Sequence, residues 1–131
     1  MSQSDPISNG LTILRNGVHA QKVTVDIPAS KLIGCVLEIF KQDGYIEDVR
    51  LMKDNVQGTY KVYLKYNKKK PAIMGIKRIS KPGLRIYVTK DTIPRVLNGL
   101  GTAVISTSKG IVSGRHAKQQ NIGGEILCHI W

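Results

Sequence analysis

The stretch Tyr45–Tyr66, YIEDVRLMKDNVQGTYKVYLKY, decides the fold class. Tyr45–Met52 and Thr59–Tyr66 are rich in β-branched and aromatic residues, and they flank the turn-prone KDNVQG. Two such runs joined by so short a turn predict an antiparallel hairpin. A parallel βαβ crossover needs a dozen or more residues between its strands. In the second run Tyr60, Val62, Leu64 and Tyr66 share one face, and Lys61 and Lys65 the other.

Upstream, Asp5-Pro6 opens a helix: aspartate caps free amides and proline fits the first turn. Ile7, Leu11 and Leu14 continue it, and Asn16-Gly17 is expected to stop it. Lys22–Ile27 alternates as a strand. Ser30 caps a second helix whose apolar face is Leu32, Ile33, Val36, Leu37 and Phe40, ending at Asp43-Gly44. The first half therefore reads helix, strand, helix, hairpin.

Asn67–Pro71 (NKKKP) looks like a boundary loop, with Lys68, Lys69 and Lys70 available to phosphates. Beyond it Lys81-Pro82-Gly83 predicts a turn. Leu84, Ile86 and Val88 then face one way, and Arg85, Tyr87 and Thr89 the other. Asp91 or Thr92, with Pro94, predicts a short helix ending near Asn98-Gly99. Ala103–Ile105 is a short strand, Ser113 caps a short helix through Gln120, and Glu125–Trp131 is a final strand. The fold class is α+β, with two small packed domains. Residues 1–68 form an N-terminal α/β domain, and 69–131 a mainly β domain with short helices.

Composition narrows the function. The chain has 131 residues, 41% of them hydrophobic, enough for a core. No apolar run approaches the ~20 residues of a membrane span, and MSQSDPISNG does not resemble a secretory signal. Cys35 and Cys128 each sit in an apolar segment and are expected to be buried free thiols. Two thiols and the scattered His19, His116 and His129 do not make a zinc site. The charge is +11 and uneven. Residues 1–60 carry 6 basic and 7 acidic side chains, and residues 61–131 carry 14 and 2. A half-chain with so few acids fits a polyanionic partner.

Ser106-Thr107-Ser108-Lys109-Gly110, STSKG, concentrates the possible chemistry. Ser106 and Lys109 match S-x-x-K, but the S-D-N and K-T-G companions of that enzyme class are absent. A serine triad would need an orienting acid, and the second half has only Asp91 and Glu125. A P-loop needs its glycines before the lysine, the reverse of the order here. An ordinary polar turn remains the plainest alternative. In this basic context, small hydroxyls suit the 2′-hydroxyls and base edges of RNA, Gly110 allows close approach, and Lys109 can meet a phosphate. Tyr87 beside Arg85 adds a ring for stacking next to a cation.

The run VISTSKGIVSGRHAKQQNIGGEILCHIW closely resembles the C-terminal signature of the small-subunit ribosomal protein S-eight family, of bacterial and plastid type. DPISNGLTILRNG resembles that family's opening helix, and PASKLIGCVLEIFKQDGYIEDV its second helix and following strand. IKRISKPGLRIYVTKDTIPRVLNGLGTAVIS resembles its central C-terminal segment. The resemblance covers essentially the whole chain. It implies a binding protein rather than an enzyme, without cofactor or metal, on the ribosome of the cytoplasm or of a plastid stroma. Its partner would be an irregular helix in the central domain of small-subunit ribosomal RNA, with small-subunit proteins as neighbours. Some bacterial members also repress translation of a ribosomal-protein message. By motif position, Ser106, Thr107, Ser108, Lys109 and Gly110 would read RNA. Tyr87 and the Gly123-Gly124-Glu125 segment would border them, with Glu125 bracing the turn or accepting from a base, and Lys31 and the first helix would add contacts. The chain departs from the family's usual opening helix at Ile13, where a basic residue is common, and Gly10 lies mid-helix. The rivals from other classes are a serine/lysine-dependent hydrolase using Ser106 and Lys109, and a regulatory duplex-DNA binder.

Overall fold

The computed structural model describes residues 5–53 and 57–131. The chain divides into two compact units, Met1–Met74 and Gly75–Trp131. Each combines helix with antiparallel sheet, an α+β fold.

In the first unit Asp5 accepts a hydrogen bond from the Ser8 amide (3.1 Å) and opens α1, Pro6–His19. β1 (Thr24–Pro28) follows. Ser30 then accepts from the Ile33 amide (3.2 Å) to open α2, Lys31–Gln42. β2 (Ile46–Met52) and β3 (Thr59–Leu64) pair as the expected hairpin. Part of its KDNVQG turn, residues 54–56, lies outside the described residues. β1 joins the far edge of β3, so the order is β1-β3-β2, with Val25, Val62 and Val49 in one cross-strand row. Ile7, Leu11 and Leu14 of α1 and Ile33, Val36, Leu37 and Phe40 of α2 are buried, as are Val25, Ile27, Val62 and Leu64 of the sheet. Leu32, assigned to the apolar face from its sequence position, is exposed.

α1 does not stop at Asn16-Gly17 but runs on to His19. Gly17 is a contact point instead: a Cβ there would meet Val25 Cγ1 at 2.4 Å. Gly10 likewise lies where a Cβ would meet Ile33 Cδ1 at 2.7 Å. Its helix-propensity cost, about 1 kcal/mol against alanine, is offset by close helix–helix approach within the unit. NKKKP forms the tip of a small hairpin. β4 (Tyr66–Asn67) pairs with β5 (Lys70–Pro71), and Lys68 and Lys69 form the turn at φ 52 and 70. The first compact unit includes this hairpin and extends to Met74.

The second unit is a sheet in the order β6-β10-β8-β9, with β7 also on β10. The strands are β6 (Ile76–Arg78), β7 (Tyr87–Val88), β8 (Thr102–Thr107), β9 (Gly110–Ser113) and β10 (Gly124–Ile130). α3 (Gly114–Gln119) is capped by Ser113, whose hydroxyl accepts from the His116 amide (3.2 Å). Ile105, Ile93 and Ala117 form a buried cluster against which Val88, Val112 and Ile122 pack.

The helix expected from Asp91 or Thr92 does not form. Thr92 Oγ1 accepts from the Thr89 amide (2.9 Å), a bond directed back up the chain that closes a turn instead of capping a helix. Only a 3-10 turn follows, at Val96–Gly99, with Leu97 and Asn98 in left-handed conformations. Leu84 is exposed within the Lys81–Leu84 turn, not aligned with Ile86 and Val88.

Candidate nucleic-acid interface

STSKG is the tip of the β8–β9 hairpin. Thr107 pairs with Gly110, and Ser108 and Lys109 make the two-residue turn. The Thr107 hydroxyl holds it closed, donating to the Gly110 carbonyl (2.7 Å) and accepting from the Lys109 amide (3.1 Å). Gly110 takes φ +110, a conformation L side chains adopt poorly. Ser108, Lys109 and Gly110 are exposed; Ser106 and Thr107 are half-buried.

Behind the tip, register aligns the other residues. Ser106 pairs with Glu125, and Glu125 with Tyr87. Directly opposed residues of antiparallel strands project to the same face. Tyr87, Glu125 and Ser106 therefore form one row across β7, β10 and β8, about 10 Å from end to end. Tyr87 is 69% exposed, so its ring is offered to solvent. The alternation that exposes this row turns Ile105 and Ile126, one position along, into the buried side.

Glu125 is the hinge of the row. Its carboxylate accepts from the Ser80 hydroxyl and from Arg85 Nη1 (3.0 Å). The Ser80 hydroxyl in turn accepts from the Ile86 amide (3.1 Å). Burial pushes the Glu125 carboxyl up, but the bonds from Ser80 and Arg85 and the charges of Arg85 and Arg78 outweigh it, leaving it below the usual range. A glutamate held ionised in this way fixes Arg85 beside Tyr87's strand and leaves part of the guanidinium face exposed.

Gly124 sets the spacing of the row. A Cβ there would lie 2.1 Å from the Ser106 carbonyl oxygen and 3.1 Å from Thr107 Cα. Only glycine lets β10 lie this close to β8 where the tip begins.

The structure thus gathers Arg85, Tyr87, Ser106, Thr107, Ser108, Lys109, Gly110 and Glu125 on one unit. Lys31, the exposed first residue of α2, and Lys68, Lys69 and Lys70 belong to the other. One residue was missed in the sequence. Ser80, the buried polar anchor of Glu125, precedes a Lys-Pro-Gly turn, where hydroxyl residues commonly bond backbone. Thr107, expected from the sequence in the turn, braces it through its hydroxyl. Cys128 is buried, and burial pushes its thiol up to about 12. Cys35 is exposed, contrary to expectation, because it falls on the outer side of α2 between Ile33 and Val36. Among the described residues no group of three or more His, Cys, Asp or Glu is placed to hold a metal. No described helix is long and apolar enough to cross a membrane.

Comparison with known proteins places this basic α+β chain in the class of ribosomal proteins. The family described as Ribosomal protein S8 matches residues 5–131. Three curated relatives bear the name small ribosomal subunit protein uS8. The chain is 51% identical to that of Syntrophomonas wolfei over 100% of both chains, and 50% identical to that of Kosmotoga olearia over 98% of both. It is 50% identical to that of Lactococcus lactis over 100% of both. The chain belongs to the ribosomal protein S8 family, structural proteins of the small ribosomal subunit.

Proposed function

We propose that this chain binds small-subunit ribosomal RNA directly, recognising an irregular helix of the central domain and helping the subunit assemble. The observation that carries this is the row Tyr87–Glu125–Ser106 beneath the Ser108–Lys109 tip. Tyr87 stacks on an unpaired base, and Ser106 and Ser108 exchange hydrogen bonds with base edges or ribose hydroxyls. Thr107 and Gly110 fix the turn. Glu125 holds Arg85, which with Lys109 meets phosphate. Lys68, Lys69, Lys70 and Lys31 add phosphate contacts from the first unit. Neighbouring small-subunit proteins are further partners. A message that mimics the ribosomal site would occupy the same residues, which would make the protein a repressor of its own operon.

The protein acts by binding and not by catalysis. A catalytic S-x-x-K pair needs its serine hydroxyl and lysine amine within hydrogen-bond reach, and in this hairpin the cross-strand partner of Ser106 is Ile111, not Lys109. Here Ser106 lies on a strand and Lys109 at a hairpin tip. Duplex-DNA reading is also disfavoured: α3, which exposes Arg115 and Lys118, has 6 residues and spans only about 9 Å. Crosslinking the full chain to total cellular RNA and sequencing the bound fragments tests the proposal. Recovery centred on one irregular helix of small-subunit RNA is expected. Fragments scattered without preference over all RNA would overturn it.

A further inference from the structure

The β4–β5 hairpin is strained at its tip. Asn67 pairs with Lys70, which leaves Lys68 (φ 52) and Lys69 (φ 70) as the two central residues of the turn. Two left-handed residues in succession make the hairpin turn that favours Asn-Gly, because a Cβ is crowded in that conformation. This chain places a long cation at both positions, and both side chains are exposed. Strain of this kind collects where function requires it. The charge around the tip is one-sided as well. Residues 55–90 contain no Asp or Glu, and Lys61, Lys65, Lys68, Lys69 and Lys70 crowd into ten of them. Like charges so close repel one another, and a polyanion relieves that repulsion.

A hairpin with two paired positions does not hold such a geometry alone. Bonds outside its own ladder hold it. The Ala72 amide donates to the Lys65 carbonyl (2.9 Å) and closes the base. The Tyr66 hydroxyl donates to the Lys22 carbonyl (2.7 Å), 44 residues away in sequence. That acceptor is itself fixed, because the Lys22 amide donates to the carbonyl of Gly17 in the last turn of α1 (3.0 Å). Burial pushes the Tyr66 phenol up, so it remains protonated and able to donate. One hydroxyl therefore ties the lysine tip to a helix end.

We infer that Tyr66 is a positioning residue: by pinning β4 to the end of α1 it holds Lys68, Lys69 and Lys70 as a preformed clamp for RNA phosphates. This rests on the reading that the lysine cluster meets phosphate. Lysines already held in place lose less freedom on binding than lysines on a loose loop. The test is a mutant cycle on the full chain, titrated against a central-domain transcript and a scrambled transcript at several salt concentrations. Tyr66→Phe removes the hydroxyl and keeps the ring. It should weaken both RNAs roughly three- to ten-fold. The salt slope should stay unchanged, because the loosened lysines still reach phosphate once bound. In the free protein, hydrogen exchange at the Ala72 amide should quicken. With Lys68, Lys69 and Lys70 already alanine, Tyr66→Phe should cost no further affinity. Lys68→Asn with Lys69→Gly supplies the residues this turn favours. That protein should melt at a higher temperature and bind both RNAs more weakly. Equal losses from Tyr66→Phe with and without the lysines would make Tyr66 merely structural and overturn the proposal. So would no loss of affinity, a Tyr66→Phe chain that does not fold, or a Lys68→Asn, Lys69→Gly chain that binds as tightly as its parent. An unchanged salt slope in the triple-alanine chain would instead refute the phosphate reading itself, and the clamp with it.

Discussion

Gly124→Ala probes the point where fold and candidate site depend on the same contact. The added methyl would lie 2.1 Å from the Ser106 carbonyl oxygen, where contacts under 3.0 Å are essentially never seen. The obstacle is backbone, so no side chain can rotate away, and β10 must move from β8 by about 1 Å or more. Overpacking of this kind costs about 1–3 kcal/mol, and loss of a ladder hydrogen bond adds about 1 kcal/mol. A total of about 2–4 kcal/mol lowers the melting temperature by roughly 10 °C. Two other glycines calibrate the result. Gly83→Ala meets nothing within 4 Å and has no left-handed φ, so it should be nearly silent. Gly110→Ala also meets nothing within 4 Å but sits at φ +110, so it should lose about 1–2 kcal/mol through strain alone. Thermal unfolding followed by circular dichroism measures all three. RNA titration at a temperature where each is folded should show Gly124→Ala impaired, because its row no longer aligns Tyr87, Glu125 and Ser106. If Gly124→Ala melted and bound like Gly83→Ala, the alignment deduced from the strand register would be wrong.

Changing Lys68, Lys69 and Lys70 together to alanine should weaken matched and mismatched RNA alike and flatten the salt dependence of binding, read from titrations at several salt concentrations; an unchanged slope would make the cluster a solvated hairpin tip. Glu125 has a folded-state value below its ordinary 4.5. Its contribution to stability is thus complete above about pH 4.5 and lost as pH falls through the lower folded value. Glu125→Gln should flatten the acid limb of a pH–stability curve measured by urea unfolding, and an unaltered limb would contradict the Ser80–Arg85 anchoring. Burial and the charge of Lys77 hold His129 below its ordinary 6.5, and its Nε2 is buried without a hydrogen-bond partner. Protonation therefore favours the unfolded chain, and stability should fall as pH drops below about 6.5; His129→Gln should remove that step.

The first unit was legible because its signals are local. Asp5 and Ser30 sit before periodic apolar runs, and each caps as its chemistry requires. The β2–β3 hairpin followed from composition flanking a turn. Features settled at a distance were not legible. Gly17 looks like a helix stop until Val25 is seen against it. Lys68 and Lys69 give no turn signal, since lysine rarely takes a positive φ, yet the pairing of Tyr66 with Pro71 holds them there. Thr92-Ile93-Pro94 has the residues of a helix start, but Thr92 spends its hydroxyl backward on Thr89. In the site, the polar turn with Arg85 and Tyr87 stood out by charge and residue type, and Glu125 by the family resemblance. Their alignment depends on strand register, and the Ser80 anchor lies 45 residues from Glu125. No local pattern could supply either.

The most direct measurement of the central claim is titration of Ser106→Ala and, separately, Ser108→Ala against cognate and scrambled RNA at several salt concentrations. Neither serine carries charge, so counterion release is nearly unaffected by its loss. An unpaired polar partner left in the complex costs about 1–3 kcal/mol, roughly five- to a hundred-fold in affinity. Weakened cognate binding by that factor is expected, with scrambled-RNA binding and the salt slope nearly constant. Equal losses on both RNAs, or no loss when either hydroxyl is removed, would contradict the claim that this turn reads RNA.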